Sequence, residues 1–190
     1  MKRETPFWHW SNWKGAGSSH ESARTHITFD RADYELLRRI SHADSLIDPV
    51  RSVPFVADIE YRKSIDDCPW PIYGPFVVSE RVRVVLEQES PGNCRYYPIQ
   101  LRHEGIDLDL KYWVLHVLHT VDCLDRTRTH FLPSGGVVRP VIIQSRVPSN
   151  VCIFRIVDDF YILYIGNRLR LALQRMKTTG CTYTKIETVP

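Results

Sequence analysis

Apolar and polar residues follow a strand-like and then a helical spacing in the stretch Pro75–Ile99, which organises our interpretation of the chain. The apolar run Phe76–Val78 predicts a short strand, and Ser79 can cap a helix because its hydroxyl accepts a bond from an amide of the first turn. The i, i+3, i+4 spacing then places three residues on one helix face, namely Val82, Val85 and Leu86. Cys94–Ile99 predicts a returning strand.

The same pattern returns 87 residues later in the stretch Ile162–Ile186, where Asn167 can cap the helix. Six residues are identical at this spacing, and they pair as Arg81/Arg168, Arg83/Arg170, Leu86/Leu173, Cys94/Cys181, Tyr96/Tyr183 and Ile99/Ile186. Leu169 and Ala172 occupy the positions of Val82 and Val85. A duplicated unit explains this match, and so does the general similarity of amphipathic strand–helix–strand segments.

Further elements are predicted on either side of the first unit. Asp30–Ser41 is helical by spacing, with Asp30 or Asp33 as its cap and one apolar face formed by Ala32, Leu36, Leu37 and Ile40. Lys111–Cys123 is a long apolar run that predicts one central strand. Three other strands are predicted, at Phe55–Arg62, Val137–Gln144 and Cys152–Val157.

These elements predict a single α+β domain with a mixed or antiparallel sheet. Helices near Ser79–Ser90 and Asn167–Lys177 flank this sheet, and the domain covers residues 26–190. Residues 1–25 form a separate arm and loop, in which the segment 6–13 carries three of the five tryptophans. We expect this arm to fold its indoles onto the domain, because a tryptophan side chain buries a large area.

The amino-acid composition indicates which general class of protein this sequence encodes. The chain has 190 residues, 43% hydrophobic and 25% charged, with a formal charge of +3. This composition is typical of a folded globular protein and does not by itself indicate a nucleic-acid ligand. No apolar run reaches the roughly 18 residues needed to span a bilayer. Five cysteines without a CxxC pair indicate reduced thiols in the cytoplasm, with Cys68 exposed beside Pro69.

Two arrangements of residues are candidates for a metal site or a catalytic nucleophile. His116, His119 and Asp122 have the spacing of metal ligands, but on a strand His119 points away from the other two. Cys123 with His119 is the one local candidate for a thiol nucleophile, and it lacks the sequence context of known catalytic motifs. The sequence therefore predicts no metal, no cofactor and no catalytic residues.

Three pairs of acidic residues are candidates for binding a basic partner, because complementary charge speeds and orients association. They are Asp107 and Asp109, Asp122 and Asp125, and Asp158 and Asp159. Solvated carboxylates at strand ends are the simpler interpretation for any one pair.

Four segments together resemble the immunity protein 11 family: PFVVSERVRVVLE, PGNCRYYPIQL, YWVLHVLHTVDCLD and the closing amphipathic helix. The resemblance covers about residues 54–190. It implies a small bacterial protein that binds a cognate toxin domain, encoded nearby, and neutralises it without catalysis.

Two other functions are compatible with the sequence. One is a nucleic-acid-binding module that uses the tryptophan-rich arm and the basic C-terminal helix, which carries Arg168, Arg170, Arg175 and Lys177. The other is a small enzyme based on Cys123 or His119.

Overall fold

The computed structural model describes residues 6–11, 25–41, 53–61, 64–71 and 75–190. In these ranges there are three α-helices, α1 (Tyr34–Ser41), α2 (Glu80–Glu89) and α3 (Asn167–Arg175). The strands are β1 (Phe7–Ser11), β2 (His26–Phe29), β3 (Phe55–Glu60), β4 (Trp70–Pro71), β5 (Val77–Ser79), β6 (Cys94–His103), β7 (Ile106–Asp107), β8 (Tyr112–Val117), β9 (Thr120–Val121), β10 (His130–Phe131), β11 (Val137–Arg139), β12 (Val141–Ile143), β13 (Ile153–Ile156), β14 (Asp159–Gly166), β15 (Thr182–Lys185) and β16 (Glu187–Val189).

Two large sheets contain most of these strands. The first has the order β4-β2-β3-β6-β8-β5, with β7 paired to β6, and the second has the order β15-β1-β14-β13-β9. Two smaller pairs are formed by β10 with β11 and by β12 with β16. Parallel and antiparallel neighbours occur in both large sheets. The predicted α+β class with a mixed sheet is therefore confirmed.

The first strand–helix–strand unit, β5-α2-β6, is split by a third strand. Since β8 pairs antiparallel with both β5 and β6, the latter two are parallel and one strand apart. Trp113 of β8 lies opposite Val78 on one side and Pro98 on the other. The middle strand supplies partners for backbone groups that would otherwise be buried and unpaired.

The second unit, β14-α3-β15, is split in the same way by β1 from the chain's N-terminal end. Trp8 of β1 lies opposite Ile165 on β14 and Lys185 on β15, so it occupies the position that Trp113 has in the first unit. Trp10 is fully buried. The predicted packing of N-terminal indoles onto the domain is thus observed for Trp10, while Trp13 lies outside the described residues. The domain boundary drawn after residue 25 stays a prediction.

The correspondence between the two halves extends beyond these units. Parallel pairing joins Ala57 to Leu101 in the first half, and the same register joins Ile142 to Thr188 in the second. The amide of Asp30 donates to the carbonyl of Val56 at 3.3 Å, and the amide of Asp125 donates to that of Val141 at 2.9 Å. The two halves therefore share one plan of strand pairing. Their origin by duplication stays a prediction.

The helix faces follow the apolar spacing of the sequence. The residues Val82 and Leu86 on α2 and Leu169 and Leu173 on α3 are fully buried, as predicted. They form one core with residues of both sheets, including Trp10. The predicted burial of Val85 and Ala172 is wrong in degree, because both are only half-buried at the side of each helix face.

Several predicted boundaries are wrong. Lys111–Cys123 does not form one strand, because β8 ends at Val117 in the first sheet and β9 belongs to the second. Val137–Gln144 is divided at Pro140, which has no amide hydrogen to donate to a neighbouring strand. Ala32 lies in an exposed 3-10 turn before α1 rather than on its buried face.

Ser79 is the N-cap residue of α2, as predicted, but the side-chain cap bonds predicted for Asp30, Ser79 and Asn167 are not formed. Asp30 caps the 3-10 turn through its backbone alone, and Ser79 precedes α2 without a side-chain bond to the helix. The Ser79 hydroxyl instead donates a hydrogen bond to the Asp67 carboxylate at 2.9 Å. Gly166 is the capping residue of α3, and Asn167 inside the helix accepts a bond from Arg170 at 2.8 Å.

The burial of α3 predicts different costs for two leucine truncations on the same helix. Leu173→Ala should lower the free energy of unfolding by about 2–5 kcal/mol, because it leaves a cavity in the core beneath the helix. Leu171→Ala, at a position that is 40% exposed, is the matched control and should cost well under 1 kcal/mol. Urea unfolding of the parent and both variants measures the difference. Equal costs for the two variants would contradict the assigned helix face.

Candidate partner-binding surface

The structure brings two of the six predicted acidic residues together. Arg126 bridges them, since its guanidinium lies 3.7 Å from the carboxylate of Asp122 and 2.7 Å from that of Asp158. The bridge neutralises part of their charge. These residues therefore present a weaker negative surface than the sequence suggests.

Asp125 and Asp159 have roles inside the fold. The Asp125 carboxylate accepts bonds from the amide and hydroxyl of Thr127 at 3.0 and 2.6 Å, and these bonds help to lower its pKa. Asp159 accepts a bond from the Tyr164 hydroxyl at 3.0 Å, and burial raises its pKa. Both carboxylates thus stabilise local structure.

Asp107 is the last residue of β7, which forms a hairpin with β6, and Asp109 follows two residues later; both are exposed, and we call residues 104–110 the hairpin tip. Glu104 and Gly105 form the turn, and both have a positive φ angle. Two exposed apolar side chains border the acidic pair, Ile106 with 69% and Leu110 with 42% of its surface accessible. This hairpin tip combines negative charge with accessible apolar surface, as protein-binding sites often do.

An arginine stacks on a tryptophan in each half of the chain. The Arg83 guanidinium lies 4.8 Å from the centre of the Trp113 ring, and that of Arg170 lies 4.2 Å from the centre of the Trp8 ring. Such contacts stabilise partly exposed pairs by roughly 0.5–1 kcal/mol. Sequence reasoning missed both pairs, although the identity of Arg83 and Arg170 at the 87-residue spacing was a signal for them.

The Asp67 carboxylate links the two halves. It accepts bonds from the Arg81 guanidinium at 2.5 and 2.6 Å and from the Ser79 hydroxyl at 2.9 Å, all in the first half. It also accepts a hydrogen bond at 3.0 Å from the amide of Thr179, which follows α3 in the second half. Burial alone would raise the pKa of Asp67, but the bonds from Arg81, Thr179 and Ser79 lower it below its usual value.

Of the residues considered as nucleophiles or metal ligands, Cys123 and His116 lie inside the fold and His119 is half-buried. Cys123 is buried, and burial raises the pKa of its thiol to about 12, which keeps it protonated near neutrality. His116 is also buried, and its Nδ1 lies 3.3 Å from the Tyr97 hydroxyl. Cys68, expected to be exposed, is 1% accessible. Within the described ranges, no three His, Cys, Asp or Glu side chains are grouped so that they could hold a metal ion.

Comparison with known proteins decides the family. The profile of the immunity protein family Imm11 matches residues 31–188. The chain belongs to this immunity protein family. The resemblance seen in the sequence is confirmed, and the match begins earlier than residue 54, so that it includes α1. No curated protein matches the chain.

Family membership gives the general function as toxin neutralisation, and the prediction of a non-catalytic protein is confirmed by it. None of the helices in the described part of the chain is long and apolar enough to cross a membrane.

The nucleic-acid-binding alternative finds little support in the geometry of this immunity protein. Trp10 is fully buried, so its ring cannot stack on a base, and Trp8 is covered by Arg170. On α3, Arg168 pairs with Glu89 at 2.5 Å. The basic helix and the tryptophan-rich segment therefore contact each other and their neighbours within the fold.

The Asp67 network predicts a dependence of stability on pH. Because its pKa is lower in the folded protein than in the unfolded chain, Asp67 stabilises the fold above its usual value of 3.8. This stabilisation is lost as the pH falls through the lower pKa that Asp67 has in the folded protein. Between pH 7 and pH 3, the free energy of unfolding should therefore fall less in Asp67→Asn than in the parent.

Urea unfolding at a series of pH values measures this difference. Asp107→Asn removes an exposed carboxylate and is the matched control, which should keep the parent's pH dependence. If Asp67→Asn also kept that dependence, the carboxylate network would not stabilise the fold.

Proposed function

We propose that this protein neutralises one cognate toxin domain, encoded near it in the genome, by forming a stoichiometric complex in the cytoplasm. The observation that carries this proposal is the Imm11 match over residues 31–188, which gives the general role. Binding alone suffices for neutralisation, since a partner that covers the active site or holds the toxin in an inactive state removes its activity. Such complexes commonly bury about 1,200–2,000 Å² of surface.

The placement of charged and apolar side chains supports a direct contact with a basic partner. Asp107 and Asp109 lie next to the exposed Ile106 and Leu110, so the hairpin tip offers both steering charge and apolar area. Arg126 draws Asp122 and Asp158 together into a second, partly neutralised acidic site. We propose the hairpin tip as the principal acidic contact and the Arg126 site as an accessory one. Asp125 and Asp159 contribute indirectly by shaping the neighbouring turns.

Co-expression with the neighbouring toxin domain tests the proposed function. The parent should restore growth of cells that express the toxin, and the two proteins should co-purify in equal amounts. Failure of both, together with salt-dependent binding of the parent to generic DNA or RNA, would favour the nucleic-acid-binding alternative.

Charge reversal tests the hairpin tip within that complex. Asp107→Lys combined with Asp109→Lys should slow association by about tenfold at low salt, with a smaller change in dissociation, because exposed charges act mainly on encounter. The charge-conserving pair Asp107→Glu and Asp109→Glu is the control and should associate like the parent. Stopped-flow fluorescence measures both rates. An unchanged association rate in the reversed variant would remove the hairpin tip from the interface.

A further inference from the structure

A cleft of about 430 Å³ opens on the second half of the protein, between the junction of β15 with β16 and the strand β11. His9, Thr184, Ile186 and Pro140 lie along it, with Val138 at one side. Val138 is 52% exposed, whereas Ile186 is 7% exposed and belongs to the core beneath. The cleft thus has accessible apolar surface at its side and a buried core residue beneath it.

The strand registers identify what occupies the corresponding place in the first half. Thr184 on β15 pairs with His9 on β1. At the matching position of the first half, Tyr97 on β6 pairs with Val114 on β8. By the same registers, Ile186 corresponds to Ile99 and Pro140 to Phe55. These four residues of the first half belong to the same core as two residues of α1, Leu37 and Ile40. The four are Phe55, Tyr97, Ile99 and Val114. The cleft is therefore the counterpart of the surface that α1 covers.

The two halves diverge immediately after the turn at the shared aspartate. After Asp30, a 3-10 turn leads into α1, which places Leu37 and Ile40 at 1% and 0% exposure. After Asp125, the chain forms a turn and then the β10–β11 hairpin instead of a helix. Among the described residues, no helix takes the position of α1 over the second half.

The charges at the rim of the cleft are mainly positive. Arg139 and Lys185 line it, and Arg128 adjoins it through an ion pair with Glu187. Arg139 also lies 3.4 Å from the Glu187 carboxylate, and the Asp125 carboxylate interacts electrostatically with Arg128, so three positive charges accompany two negative ones. The Arg139 side chain is 77% exposed. An acidic segment is the complementary ligand for such a rim.

We propose that this cleft receives an amphipathic helix of the toxin domain, with acidic residues beside its apolar face. The proposal rests on the proposed function and assigns it a second contact surface. The helix presents two apolar side chains three residues apart, as α1 presents Leu37 and Ile40 to the first half, and its acidic residues face Arg139 and Lys185. Helix-in-groove binding of this kind is a recurrent mode of recognition.

Photo-crosslinking tests the occupant directly. Val138→p-benzoylphenylalanine places the crosslinker at the side of the cleft, and the variant is irradiated in complex with the neighbouring toxin domain. The expected product joins position 138 to a toxin peptide that has helical apolar spacing and acidic neighbours. A crosslink to a second copy of this chain, or to another segment of the same chain, would overturn the proposal.

Two substitutions measure the contribution of the cleft to affinity. Val138→Asp should weaken toxin binding at least tenfold, because it places a carboxylate where apolar side chains dock, and Lys185→Glu should do the same by repelling the acidic flank. The matched control is Val53→Asp, at the counterpart of Val138 in the first half, where 61% of the side chain is exposed. This control should bind like the parent. Thermal unfolding checks that all three variants remain folded.

The outcomes separate the two proposals. If Val138→Asp and Lys185→Glu bind as tightly as the parent, the cleft is not an interface, while the proposed function stands on the parent complex. If Val53→Asp weakens binding equally, the effect is not specific to the cleft and the proposal fails. If the parent itself forms no complex, both proposals fail together.

Discussion

The structure depends on one constraint: two parallel strands joined by a helix stand one strand apart, and the gap between them must be filled. Unpaired amides and carbonyls facing each other across a buried gap are costly, so each unit requires an antiparallel strand there. In the first unit β8 follows in sequence and takes this position, whereas in the second β1 comes from the opposite end of the chain. The N-terminal segment is thereby an inner strand of the sheet.

The middle strands also determine the surface above them. Each carries a tryptophan at the same register position, Trp113 in β8 and Trp8 in β1, and each ring supports an arginine from the helix of its unit. The halves differ on the opposite side of the sheets, where α1 completes the first and a hairpin leaves the second partly open. A shared plan with one helix missing gives the protein a place for a partner's helix.

Periodicity within a segment was a reliable guide, because the positions of Leu86 and Leu173 follow from local helix geometry alone. Long-range contacts were not predictable in the same way. Nothing in the run Lys111–Cys123 shows that the chain leaves one sheet for another, since no Gly or Pro interrupts it. The Ser79 hydroxyl donates to Asp67, twelve residues earlier, instead of bonding to the helix that it precedes, and local helix geometry does not predict such a contact. The acidic pairs were visible, but Arg126, which joins two of them, could be assigned only from the fold.

Amide hydrogen exchange of the free protein and of its complex with the toxin domain tests the central claim most directly, namely that the incompletely covered half is where the partner docks. Complex formation should slow exchange of the amides of residues 138–139 and 184–187, which line the cleft, and leave those of Phe55, Ala57, Tyr97 and Ile99, in the core beneath α1, unchanged. Slowed exchange confined to the first half, or a complex that leaves the cleft amides unchanged, would contradict the account.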